Sequence, residues 1–269
     1  MTEIHQTAIV ESGVQLGADV TIGPFSYIRS GACIGDGCRL GPHVTIHGGT
    51  VLGAGCAVHA GAVLGDLPQD LGFRECESRL HVGARCVIRE GVTLHRGSGE
   101  GTATEIGDGC FLMAFSHCGH NVRLGHGVIV ANGALFAGHV TVGDRAFVSG
   151  NAMVHQFCRI GRLAMIGGGS GVSKNLPPFC TTHPITINRV AGLNTIGMRR
   201  AGLQNDERLE IKRVYGVLYH SGLNTKQALK RIEQTFHSSL ATEIRNFVKE
   251  SERGICPWVR DGEEAIAVE

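Results

Sequence analysis

The feature that most constrains this chain is a six-residue period that runs through its first two thirds. Starting at Ile4 and stepping by six gives Val10, Leu16, Ile22, Ile28, Ile34, Leu40, Ile46, Leu52, Val58 and Leu64, and the series resumes with Val82, Ile88 and Leu94. After one more break it continues from Ile106 through Leu112, Cys118, Leu124, Val130, Phe136, Val142, Val148, Val154, Ile160 and Ile166 to Val172. Only Asp70, Cys76 and Glu100 fall out of phase, and all three lie in stretches that read as loops. A fixed short period means that each repeat buries its apolar face only against its neighbours. One short strand per hexapeptide, three hexapeptides to a turn, stacks 18-residue coils into a triangular prism with the aliphatic slots inside, a parallel β-helix. Roughly nine or ten such coils fit between residues 4 and 190.

Composition agrees with a narrow, evenly filled interior. Glycine occurs 40 times in 269 residues, while aromatics make up only 5%. The residue after the aliphatic slot is often glycine (Gly17, Gly23, Gly35, Gly53, Gly107), which is expected for a turn that needs permissive backbone angles. Four residues after the slot comes a small or β-branched residue, and Cys38, Cys56, Cys86, Cys110 and Cys158 take that place. They therefore read as small interior hydrophobes and not as metal or redox groups. With no CxxC pair, the ten cysteines make neither a disulfide framework nor a zinc ribbon. A formal net charge of +1 leaves no global field to attract a phosphate backbone, so nucleic acid is excluded as an expected partner. There is no long apolar run and no basic-then-apolar leader, so the expectation is a cytoplasmic protein without an integral membrane segment.

Two polar, glycine-containing excursions, residues 66–80 and 97–104, interrupt the coils and are natural places for substrate contacts. Pro177-Pro178 is expected to end the last clear coil. Beyond it glycine becomes scarce and the period is lost, so the domains are expected to be a β-helix over 1–191 and a small α-helical domain over 192–269. Glu207–Ser221, Lys226–Phe236 and Leu240–Arg253 read as helices, capped by Asn205-Asp206, Thr225 and Gly254. From Arg199 to Arg231 there are eight Lys or Arg against three Asp or Glu, an excess able to dock an acidic partner.

Residues 18 apart should stand side by side on the prism, one strand spacing of about 4.8 Å apart. That rule sets Gly119-His120-Asn121 beside Ala137-Gly138-His139, and that pair beside His155-Gln156-Phe157. With His117 close by, one face gathers four imidazoles and Gln156 within three coils. Such a group can provide a general base for a hydroxyl or ligands for zinc.

The segments Pro68-Gln69-Asp70-Leu71, Ile88-Arg89-Glu90-Gly91-Val92-Thr93-Leu94-His95-Arg96-Gly97, Ser116-His117-Cys118-Gly119-His120-Asn121, Val154-His155-Gln156-Phe157-Cys158 and Gly192-Leu193-Asn194 resemble those of one family. This is the family of UDP-N-acetylglucosamine O-acyltransferases of lipid A biosynthesis, which belong to the hexapeptide-repeat acyltransferases. The resemblance covers nearly the whole chain. It implies a left-handed β-helix, against the usual crossover hand. It also implies transfer of an acyl group, usually 3-hydroxyacyl, from acyl carrier protein to the 3-hydroxyl of UDP-N-acetylglucosamine, with a homotrimer as the working unit and no metal or organic cofactor.

By the same matching, His120 resembles the general base and Gly138 the residue whose N–H stabilises the oxyanion. Asp70, His117, His139 and Gln156 resemble the lining of the site; His155, Asn194 and Arg200 resemble nucleotide or phosphate contacts. Gly168 matches the position that limits acyl length and, having no side chain, implies room for a longer chain. The basic stretch with Arg199, Lys212 and Arg213 is expected to dock the carrier. The chain departs from the pattern at Asn121, where Asp is common, and at Gly72, where a lysine is often found. Other readings of the cluster are an N-acyltransferase for a 3-amino analogue of the same sugar nucleotide, a γ-type carbonic anhydrase with zinc on its histidines, and an inactive scaffold.

Overall fold

A computed structural model of the chain describes residues 1–258. Short parallel strands, mostly of two residues and separated by four-residue turns, wind around three faces. Among the described residues these form sheets of eleven, nine and eight strands, here faces I, II and III in chain order. The register follows the expected spacing: Ile22 pairs with Leu40 on face I, Ile28 with Ile46 on face II, and Leu16 with Ile34 on face III. Each two-residue strand thus sends its second residue inward, and the aliphatic slots from Ile22 to Val172 are buried in one continuous column. Full burial of such a side chain is worth about 1.5–3 kcal/mol, so the column is the main stabilising term of the prism. At the open N-terminal end Ile4 remains exposed and Val10 and Leu16 only half-buried.

The five slot cysteines are at most 1% exposed, and the thiols of Cys38, Cys56, Cys86 and Cys110 point at glycine carbonyls of neighbouring turns. The glycines behave differently from expectation. Those directly after a slot have ordinary φ, apart from Gly65; the left-handed residue of each turn comes two positions later, as in Gly37 and Gly55, and also Arg85, Asn121 and His139. Glycine after the slot is required instead by the next coil, since a Cβ on Gly53 would lie 2.6 Å from the Ala84 nitrogen and one on Gly143 2.5 Å from the Arg162 nitrogen.

Val58 pairs with Ile88 and Ile88 with Leu112, so the coils containing the two excursions are longer than 18 residues. Both excursions leave the prism from the edge between faces II and III: one runs between the strands Val63–Asp66 and Arg79–Val82, the other between Thr93–His95 and Ala103–Ile106.

Pro177-Pro178 does not end the coil. The strand Cys180–Thr182 still pairs in parallel with Met165 on face I, and Gly171 bridges to Ile187. The antiparallel strand Val190–Leu193 then leads into the helices, so residue 191 falls inside a strand. The helices are α1 Thr195–Arg200, α2 Asn205–His220, α3 Thr225–Thr235 and α4 Ser239–Lys249. The first has no counterpart in the sequence expectation, and α4 ends at Lys249 with Glu250 as its C-cap, not at Gly254. The N-caps also sit one residue earlier than expected, with Gln204 and Asn224 preceding α2 and α3. After α4 the chain returns to the prism, where Ile255 bridges Asn175 and Trp258 bridges Val190. Residues 259–269 of the expected helical domain lie outside the described residues. No described helix is long and apolar enough to cross a membrane.

Candidate active site

The II–III edge carries the histidines, and its coil-to-coil hydrogen bonds fix their order. The His139 N–H donates to the His120 carbonyl (3.0 Å), and the Phe157 N–H donates to the Gly138 carbonyl (3.1 Å). Above these turns the first excursion folds back over the edge. Together they enclose a cleft of ≈ 440 Å³ whose lining includes Asp70, His117, His120, Gly138, His139 and Gln156, with Gln69, Leu71 and Phe157 also facing it. A larger cleft of ≈ 890 Å³ lies nearer the N-terminus, around Arg29, His47 and Arg96, and holds none of these groups.

His120 is the centre of the arrangement. Its ring is mostly buried, with Nδ1 2.9 Å from Asn121 Oδ1 and Nε2 4.0 Å from Asp70 Oδ2. The Asp70 carboxylate is itself held by the Gly72 N–H at 2.8 Å. Gly138 lies against the imidazole: a Cβ there would be 2.5 Å from His120 Cε1 and Nε2. The Gly138 N–H has no hydrogen-bond acceptor among the described residues. A free backbone donor on the residue that packs against a half-buried imidazole suits a reaction in which a proton leaves and an oxyanion forms at the same place.

The neighbouring histidines are both biased toward the neutral form. Burial pushes the His117 imidazole down to about 4, assisted by His95, while Thr93 Oγ1 lies 2.8 Å from its Nδ1. Burial, and then the proximity of His120, also lowers His139. Its ring stands edge-on to His120 at 5.0 Å and stacks on Phe157 at 4.6 Å, so it walls the cleft. Among the described residues no three His, Cys, Asp or Glu side chains converge as a metal site.

Not every expected residue comes together in one chain. His155 does not line the cleft; its Nδ1 is 3.2 Å from the Gln156 carbonyl and 3.4 Å from Arg253 of the returning C-terminal segment. Asn194 caps α1 by accepting the Gly197 N–H, and its amide donates to the Leu163 carbonyl at the edge between faces III and I. The Arg200 carbonyl accepts from Arg145 at that same edge. Arg199 is exposed beside Arg200, and Lys212 and Arg213 are exposed on α2. Gly168 lies at the third edge, between faces I and II, where a Cβ would meet the Gly150 carbonyl oxygen at an ordinary 3.6 Å.

Several participants escaped the sequence reading: His95, only 5% exposed and bonded through Nδ1 to the Leu67 carbonyl, Phe157, and the partners of Asn121. His95 had a signal, since it fills the position after the slot where glycine is common.

A hexapeptide prism with a histidine cleft on one edge fits the class of hexapeptide acyltransferases, and the likeness to known proteins selects that class. Models of the bacterial transferase hexapeptide repeat match residues 13–48, 31–66 and 103–138, and a model described as UDP-N-acetylglucosamine O-acyltransferase, domain 2, matches residues 176–256. The acyl-[acyl-carrier-protein]–UDP-N-acetylglucosamine O-acyltransferase of Alkalilimnicola ehrlichii is 46% identical, over 95% of this chain and 99% of its own; that of Anaeromyxobacter dehalogenans is 44% identical, over 94% and 98%. The solved UDP-N-acetylglucosamine acyltransferase of Bacteroides fragilis superposes with a TM-score of 0.89 at 37% identity, covering 95% of this chain and 99% of that one. The enzyme from Francisella novicida gives 0.90 at 31% identity, covering 99% of both. The chain belongs to the family of acyl-[acyl-carrier-protein]–UDP-N-acetylglucosamine O-acyltransferases and is an acyltransferase with the left-handed β-helix of that family.

Proposed function

We propose that this enzyme transfers a 3-hydroxyacyl group from acyl carrier protein to the 3-hydroxyl of UDP-N-acetylglucosamine, the first step of lipid A biosynthesis. The observation that carries the reading is the packing of His120 Nε2, which faces the cleft beside Asp70, against Gly138, whose N–H is free. In the reaction His120 Nε2 takes the proton of the sugar hydroxyl as its oxygen attacks the thioester carbonyl carbon. The carbonyl oxygen becomes an oxyanion that the Gly138 N–H stabilises, a donor of a kind worth about 3 kcal/mol in the transition state. Collapse breaks the carbon–sulfur bond, and the carrier thiolate recovers the proton from the imidazolium. Asp70 Oδ2 lies 4.0 Å from Nε2 and faces the same part of the cleft.

His117, His139 and Gln156 shape the sugar end of the cleft. Gly168 bounds the acyl chain: between its edge and the cleft, face II exposes Leu135 and Met153 as an apolar path. Asn194 and Arg200, at the III–I edge, reach a cleft at the II–III edge only across an interface between copies, which supports a homotrimer with shared sites. Arg199, Lys212 and Arg213 give the acidic carrier a docking surface. Sugar and carrier supply every group in this scheme, so it needs no cofactor.

The test is acyl transfer from acyl carrier protein to UDP-N-acetylglucosamine by the His120→Ala protein. Turnover is expected to fall by at least ~10²-fold with the thermal melt unchanged. Undiminished turnover removes His120 as the base, and preferential use of a 3-amino sugar nucleotide reassigns the acceptor.

A further inference from the structure

Asn121 raises a question of tautomer. An amide next to a catalytic imidazole can present either its oxygen, which accepts a proton from Nδ1 and leaves Nε2 free as a base, or its NH2, which enforces the opposite and inactive tautomer. In a serine protease triad, putting Asn in place of the orienting Asp costs about 10⁴-fold because the wrong tautomer results. Something in this chain has to select the oxygen.

The second excursion provides the selector. Ser98 donates to Asn121 Oδ1 twice, from its backbone N–H (3.0 Å) and from its hydroxyl (2.9 Å). A backbone N–H only donates, so the atom facing it has to be the amide oxygen and not the nitrogen. The same oxygen lies 2.9 Å from His120 Nδ1, which must then carry the proton.

The backbone of Asn121 is held from the same excursion. In the following coils the equivalent left-handed residue donates its N–H to the coil before it, as His139 does to His120. At residue 121 the excursion interrupts that pattern, and the Asn121 N–H donates instead to Oγ1 of the fully buried Thr104 at 2.8 Å. The titratable groups that face His120 from other elements are Asp70 in the first excursion and His139 in the next coil. Asp70 lies 4.0 Å from Nε2 and His139 stands edge-on to the ring at 5.0 Å, while Nδ1 has Asn121 Oδ1 as its hydrogen-bond partner.

The geometry points to Ser98 as a positioning residue: by fixing which end of the Asn121 amide meets His120, it sets the imidazole in the tautomer that can act as a base. This rests on the proposed role of His120, and it explains how a neutral residue serves where the family commonly has an acid.

The experiment is a double-mutant cycle between positions 98 and 121, read by kinetics and by nitrogen NMR of the histidine rings. In the native protein the NMR is expected to show His120 protonated on Nδ1 at pH 8. Ser98→Pro removes both donors. It is expected to shift the ring to the Nε2–H form and lower kcat by ~30-fold or more, with KM changed by less than ~3-fold. In the Asn121→Asp background, where the two ends of the carboxylate are equivalent, the same substitution should cost less than ~3-fold. Asn121→Asp alone places an anion on Nδ1, which favours imidazolium, so the acid limb of kcat/KM should move to higher pH by about one unit.

If Ser98→Pro does not fold, Ser98→Ala takes its place in the cycle, with a loss of at least ~3-fold expected only with Asn121 present. Equal losses in both backgrounds, an unmoved acid limb, or an Nε2-protonated His120 in the native protein would each overturn the assignment. The NMR arm reads the tautomer whether or not UDP-N-acetylglucosamine proves to be the acceptor.

Discussion

At the scale of single residues, the site depends on an absence at position 138. The imidazole of His120 occupies the space a Cβ on Gly138 would need, 2.5 Å from Cε1 and Nε2. A methyl there displaces a side chain and not backbone, so Gly138→Ala should fold normally while tilting the proposed base away from the proposed oxyanion donor. The expected result in an acyl-transfer assay is a loss of ~10²-fold in kcat with the melting temperature nearly unchanged. His117 gives a second prediction, in the pH dependence of stability. Its folded-state pKa, about 4, lies below the 6.5 of the free group. Between those values the unfolded chain binds the proton and the folded one does not, so its contribution is fully present above pH 6.5 and is lost on acidification toward pH 4. His117→Gln should flatten the fall of melting temperature across that window. The arithmetic of 18 residues per coil was enough to place His120, Gly138 and His139 together in the sequence. It could not tell that His155 faces Arg253, because side-chain direction in a turn depends on what packs against it from outside the repeat. Nor could it find the Ser98–Asn121 contact, since an excursion has no period to read.

At the scale of elements, the three edges of the prism are built differently. At the III–I edge the residue after the slot is glycine from Gly17 through Gly35, Gly53, Gly83, Gly107, Gly125 and Gly143 to Gly161. The next residue along often caps the coil before it: Asp36, Asp108 and Asp144 each accept a backbone N–H at 2.8 Å. The II–III edge breaks this rule with Glu11, Arg29, His47, His95, Ala137 and His155 after the slot, and both excursions leave from it. Tight backbone stacking thus occupies one edge and side-chain chemistry another. Gly143→Ala should therefore destabilise the fold through backbone, because its Cβ would stand 2.5 Å from the Arg162 nitrogen. A cost of about 1–3 kcal/mol is expected in a chemical denaturation curve. At the I–II edge Ala131 and Ser149 already carry a Cβ in the equivalent place, so Ala131→Ser should have little effect. The glycine series was visible in the sequence, but its cause was not: the contact is between coils, and inspection of one turn suggests backbone angles instead. α1 was missed for a related reason, since six residues without an apolar period give no helical signal, and what holds it is Asn194, which accepts the Gly197 N–H and donates to the Leu163 carbonyl.

At the scale of the whole molecule, the residues matched to substrate binding lie at separate edges. His120 and Asp70 lie at the II–III edge; Asn194 and Arg200 are tied through Leu163 and Arg145 to the III–I edge, across the width of the prism. One chain does not bring the two sets to the same edge. If the proposed site is shared, with the base from one copy and Arg200 from its neighbour, two inactive proteins should complement each other. His120→Ala retains Arg200, and Arg200→Ala retains His120. When they are co-expressed with different tags and assembled at random in equal amounts, about a quarter of the interfaces should join an intact His120 to an intact Arg200. Hybrid assemblies should then recover roughly a quarter of native turnover at limiting sugar nucleotide, where each parent alone is impaired. Were both residues to act within one chain, no hybrid would contain an intact site, and turnover would not exceed the average of the two parents. Sedimentation of the same preparations reports whether the complementing species contains three chains, so the shared site and the trimer are measured separately.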